Sequence, residues 1–121
     1  ISERRLKRTP FKDVAGMVRS FHYVAYGQLL LSKKYKNEHM PYLEECAQQW
    51  FHYISQSFLS SYFKTTKGQV FIPKEEKEKQ ILLRSYILEK AIYELGYEMN
   101  ARPHWLGIPL KGVLYAMKEF S

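Results

Sequence analysis

Apolar residues recur at intervals of three and four along three long stretches, and no stretch alternates convincingly between apolar and polar. Helices packed on helices are the architecture left open. In the first stretch Val14, Met17, Val18, Phe21, Val24, Ala25 and Leu29 keep this spacing, which predicts a helix over roughly Pro10 to Leu31. Thr9 is suited to cap it, and Pro10 to its first position, where a missing N–H does no harm. The second stretch starts near Pro41 and runs to about Lys64 through Leu43, Ala47, Trp50, Ile54 and Phe58. The third starts at Pro73, puts Glu75 and Glu76 in its first turn, and continues to about Ala101, with room for a break before Tyr86. Ser32 to His39 reads as a polar connector, and Val70-Phe71-Ile72 as a short extended piece. A loop over Arg102 to Pro109 leads into a short last helix through Leu110, Val113, Leu114 and Met117. The expected fold is therefore all-α, three long helices plus one short.

With 121 residues there is room for one domain, spanning 1–121 with an irregular arm over 1–8. Hydrophobic residues make up 45% and charged residues 26%, the balance of a chain that folds around a core. Apolar runs are too short to span a bilayer, so no membrane partner is expected. The single cysteine, Cys46, excludes an internal disulfide framework and points to a reducing, cytoplasmic setting. A first residue of Ile1 and an irregular charged opening suggest a piece of a longer protein.

Net charge is +7, with basic clusters at Arg4, Arg5, Lys7 and Arg8 and at Lys33, Lys34 and Lys36. Elsewhere the signs mix, as in the Lys74–Lys79 run, which reads as a solvated helix face. No zinc finger, RRM signature or Gly-rich RNA clamp occurs, and no nucleic-acid partner is expected. A stand-alone basic helical module that binds nucleic acid or a protein partner is the alternative reading, and a helical docking unit a third.

On a helical wheel Ile81, Leu88, Ile92, Leu95 and Met99 of the third helix share one narrow sector, the expected core stripe. Nearly opposite lie Tyr86, Lys90, Tyr93 and Tyr97, with Glu94 beside them. Phenol rings next to charged hydrogen-bonding groups suit a sugar, which offers C–H faces for stacking and hydroxyls for pairing. The same tyrosines could instead pack beneath another helix. In the following loop, Trp105 reads either as a stacking platform or as an anchor, with Arg102 and His104 close by. Glu94 and Glu98 stand one turn apart on one helix, whereas a glycosidase pair must straddle its substrate.

His22, His39 and His52 have no metal-ligand spacing with Cys46, so no metal is expected. There is no Walker A run, no Gly-rich phosphate loop, no His-x-Asp loop and no Gly-x-Ser-x-Gly elbow. The only aspartate, Asp13, cannot serve as both base and metal ligand for phosphoryl transfer. No catalytic residue is assigned.

Two segments carry a resemblance. The run Thr9-Pro10-Phe11-Lys12-Asp13-Val14-Ala15-Gly16-Met17-Val18-Arg19-Ser20-Phe21-His22-Tyr23 resembles the segment that follows the metal-binding motif of bacterial maltokinases. The run Leu88-Glu89-Lys90-Ala91-Ile92-Tyr93-Glu94-Leu95-Gly96-Tyr97-Glu98, with Arg102-Pro103-His104-Trp105-Leu106-Gly107-Ile108-Pro109-Leu110, resembles that family's closing motif. Lys33 to Lys79 carries little of the match.

The resemblance implies the helical carboxyl-terminal lobe of a two-lobed fold like that of aminoglycoside phosphotransferases. The intact family enzyme, often fused to trehalose synthase, uses ATP and Mg²⁺ to phosphorylate maltose at its anomeric hydroxyl, feeding glucan synthesis. Of such an enzyme this chain would be the acceptor side, without the amino-terminal lobe, and by itself would hold no cofactor and show no activity. Lys90, Tyr93 and Tyr97 match positions expected to contact maltose; Glu94, Arg102 and Trp105 are weaker candidates for supporting the site. Arg19 and His22 either orient the neighbouring metal loop or simply pack helices.

Overall fold

A computed structural model describes residues 10–31 and 37–118, and they form helices joined by short turns. Helix α1 spans Pro10–Leu31, α2 Met40–Thr65, α3 Glu76–Ala101 and α4 Gly107–Lys118, with single 3₁₀ turns at Asn37–His39 and Pro103–Trp105. No strand occurs among the described residues, so the all-α expectation holds. The arm over 1–8 and the cap residue Thr9 lie outside the described residues, as does most of the connector.

The ends of the helices follow local chemistry. Pro41 occupies the first turn of α2, and at its far end Thr66 donates its backbone N–H and its hydroxyl to the Tyr62 carbonyl, at 3.0 and 2.8 Å. Gly68 then takes a φ of +85°, a left-handed conformation open to glycine, and reverses the chain. Val70-Phe71-Ile72 is a turn rather than an extended piece, because no second strand lies beside it to pair with. Helix α3 starts at Glu76, three residues later than expected, and runs unbroken past Tyr86. It stops before Pro103, which holds Arg102 out of helical geometry at φ −146° and ψ 73°.

Helix α1 is the hub, packed against the other three, while α3 also packs along α4. One core cluster gathers Phe11, Val14, Ala15 and Val18 of α1 with Phe51 and Leu59 of α2, Leu83 and Ile87 of α3, and Ala116 of α4. A second joins Tyr26, Ala47, Trp105 and Ile108 near the carboxyl end of α1.

The expected core stripe of α3 is the main correction. Ile81, Ile92 and Met99 are 44%, 55% and 62% exposed, while Leu88 and Leu95 of the same stripe are half-buried. Leu83, Arg84, Ile87, Ala91, Glu94 and Glu98 point inward instead. A wheel weighted by hydrophobicity turns away from glutamates, yet here both meet cationic or hydroxyl partners inside the bundle. Compensated charge decides the rotation of the helix.

Arg19 is the centre of that compensation and is 1% exposed. Its Nε donates to Glu94 Oε1 at 2.7 Å, one Nη to His22 Nδ1, and the other to the Ile108 carbonyl at 3.3 Å. One side chain thus ties α1 to α3 and α4. Gly112 of α4 lies directly over the guanidinium, and a Cβ there would overlap it. Gly112→Ala is therefore expected to lower stability by about 1–3 kcal/mol, as overpacking does, measured by thermal or urea unfolding.

Because a guanidinium only donates, the His22 imidazole accepts at Nδ1 and is neutral, with its proton on Nε2. Burial first, and then the nearby charges of Arg19 and Lys111, push its pKa from 6.5 to about 2. The unfolded chain therefore takes up a proton below pH 6.5 that the native state refuses. Stability is expected to fall by about 1.4 kcal/mol per pH unit below that point, about 2 kcal/mol by pH 5. Thermal unfolding across pH 5–7.5 checks this, and His22→Gln, which keeps an acceptor for Arg19, should flatten the profile. An unchanged slope in the variant would remove His22 as its cause.

Candidate functional site

Helices α1 and α3 lie in one register, and two rungs cross between them. Arg19 meets Glu94, and one turn later the Tyr23 hydroxyl donates to Glu98 Oε2 at 2.7 Å. Arg102 closes the second rung from the end of α3, its Nε and Nη2 each donating to the Glu98 carboxylate at 2.9 Å. Burial alone would raise the Glu98 carboxyl, but the hydrogen bonds from Arg102 and Tyr23 outweigh it and hold the group below its usual range. Burial and the bond to Glu98 push the Tyr23 phenol upward. Glu98 thus stays ionised, and both glutamates are occupied by partners.

The same rungs decide what α3 presents outward. Tyr93 and Tyr97 are 66% and 54% exposed, and Lys90 is exposed between them and Tyr86. The Lys90 ammonium sits 5.3 Å from the Tyr93 ring centre. Next to it, Lys12, Tyr86, Glu89, Lys90 and Tyr93 line a hollow of about 280 Å³ between α1 and α3. Toward the end of the helix, the Arg102 guanidinium lies 5.9 Å from the Tyr97 ring and 4.0 Å over the Trp105 ring. A strip of phenols, an ammonium and a clamped guanidinium runs along one side of α3.

Of the six candidates, then, Lys90, Tyr93 and Tyr97 stand together on the surface, and Arg102 borders them. Glu94 is turned inside and paired with Arg19. Trp105 is buried with its ring stacked on Tyr23, 6.0 Å between centres, and lying along Gly27. These two hold the frame and leave ring faces and hydroxyls to the tyrosines. Arg19 and His22 take part in packing helices, the second of the two roles open to them.

Lys12 was not marked by sequence reasoning. Only the pairing of α1 with α3 carries it to Lys90, and that register rests on an ion pair and a hydrogen bond between segments far apart in the chain. No cluster of three His, Cys, Asp or Glu side chains able to hold a metal forms among the described residues. None of their helices is long and apolar enough to cross a membrane.

No protein-family model matches the chain, and no solved structure matches it.

Proposed function

We propose that this chain forms the acceptor-sugar side of an ATP-dependent sugar kinase, with maltose as the acceptor and maltose 1-phosphate as the product. The observation that carries this reading is the outward strip of Lys90, Tyr93 and Tyr97 on a helix whose inner face is locked by buried ion pairs. A wall for a sugar must be rigid before the ligand arrives, because ordering side chains on binding costs affinity. Tyrosine rings supply stacking faces, and their hydroxyls with Lys90 and Arg102 supply pairing to sugar oxygens. Lys12 extends the wall from α1.

Two further features support it. The segments that resemble maltokinases lie at opposite ends of the sequence, and Arg19–Glu94 and Tyr23–Glu98 join them into one unit. The apolar residues Ile81, Ile92 and Met99 left on the outside of α3 suit a chain against which more protein packs, here the remaining lobe. ATP and Mg²⁺ would be held by that lobe, since no phosphate cradle or catalytic acid occurs in this sequence.

In the assay, a longer protein carrying this chain releases ADP from ATP and Mg²⁺ in response to maltose, while the 121-residue chain alone releases none. Turnover by the pure chain, or a longer protein indifferent to maltose, contradicts the reading.

A further inference from the structure

We infer that the groove between α2 and α4 is a second, separate binding site, for an extended neutral oligosaccharide. This inference does not rest on the role proposed for α3. The two helices stand apart across α1 and enclose an open groove of about 1520 Å³. That exceeds the roughly 300–1,000 Å³ of common small-molecule pockets, so it suits an elongated ligand.

The composition of its α2 wall is anomalous. In a chain with 26% charged residues, no Asp, Glu, Lys or Arg occurs between Glu45 and Lys64. Yet much of that stretch is exposed. Gln49, Tyr53, Gln56 and Ser60 form one exposed stripe at i, i+4, i+7 and i+11, facing the groove over about 16 Å. Water alone favours charged residues on such a face, and Ser57, Ser60 and Ser61 lower helix propensity where Ala, Glu or Lys would raise it. Folding therefore does not explain the choice.

Recognition of hydroxyls does. Each sugar hydroxyl both donates and accepts, and so do Gln, Ser, Tyr and neutral His, whereas Lys only donates and carboxylates only accept. Ring surface comes from Tyr53, exposed on the α2 wall, and from the half-buried Tyr115, which stands edge-on 5.3 Å from the buried Phe51. Charge in the lining is limited to Glu45, Lys111 and Lys118. Lys111 is also drawn over the Tyr26 ring, at 4.6 Å. An uncharged, hydrogen-bonding stripe on α2 beside tyrosine rings matches a neutral polyhydroxyl chain.

The test titrates maltohexaose, cellohexaose and, as a polyanion, heparin into the 121-residue chain, followed by amide NMR. Saturable binding of either neutral hexaose is expected, with shifts confined to His22, Tyr26 and residues 45–61 and 111–118. The double variant Gln49→Ala with Gln56→Ala should weaken it by about 10-fold or more, and Gln56→Lys should weaken it similarly. These side chains are exposed, so unfolding temperatures should stay unchanged. Tyr97→Phe should leave this binding intact, which separates it from the α3 site. The inference is overturned by no saturable binding of either hexaose, by binding indifferent to both groove variants, by tighter binding of heparin, or by shifts that arise from self-association.

Discussion

Arg19→Ala should nearly unfold this protein. The guanidinium is 1% exposed and compensates the buried Glu94, so its loss strands a carboxylate among helices with nothing to neutralise it. Breaking a buried pair from one side costs about 3–5 kcal/mol. Domains of this size have about 5–15 kcal/mol in total, so the fall in unfolding temperature should be about 10–20 °C. His22 Nδ1 and the Ile108 carbonyl would lose their donor as well. Arg19→Lys should rescue little, because one ammonium cannot reach three acceptors set around a planar fork. Arg19→Met combined with Glu94→Leu should recover most of the loss, since no unpaired charge then stays buried. If Arg19→Ala unfolds within a few degrees of the native protein, the hub assigned to Arg19 is wrong.

Ile87→Ala and Ile92→Ala form the second large contrast. Both are isoleucines of α3, and sequence periodicity alone puts Ile92, not Ile87, at the core. In the bundle Ile87 is fully buried and Ile92 is 55% exposed. The first substitution opens a cavity and should cost about 2–5 kcal/mol, the second no more than about 0.5. Urea unfolding of the two variants reads the rotation of α3 directly. Equal losses, or the reverse order, would contradict this rotation and put Ile92 back in the core.

This contrast also shows how far the sequence could be read. Helix α1 has the bounds its periodicity predicts, Pro10 to Leu31, although Met17 and Val24 of its expected stripe are exposed while Arg19 and His22 are buried. Helix α2 differs by a residue at each end, since Pro41 and Gly68 punctuate it. Helix α3 is different. Its inner face includes Arg84, Glu94 and Glu98, which look like solvent residues until Arg19, Tyr23 and Arg102 arrive from elsewhere. Equal offsets in the pairs Arg19–Glu94 and Tyr23–Glu98 were the available signal, meaningful only once α1 and α3 are known to lie side by side in register.

The strip of Lys90, Tyr93 and Tyr97 was legible from spacing, since residues three and four apart share a helix surface however the helix is rotated. Its separation from Glu94 was not. That carboxylate lies next to the strip on a wheel, and only its ion pair draws it inward. Trp105 presented two readings in sequence, and its packing on Tyr23 and Gly27 makes it the anchor of the turn.

Kinetics of the proposed sugar kinase carrying this chain, with Tyr93→Phe or Tyr97→Phe, test the acceptor wall most directly. Removing one partner of a contact to a substrate hydroxyl costs about 1–3 kcal/mol, so KM for maltose should rise roughly 5- to 150-fold. Both hydroxyls lie on exposed residues, so the unfolding temperature should not move. An unaltered KM for maltose in stable variants would contradict the assignment and remove these tyrosines from the site.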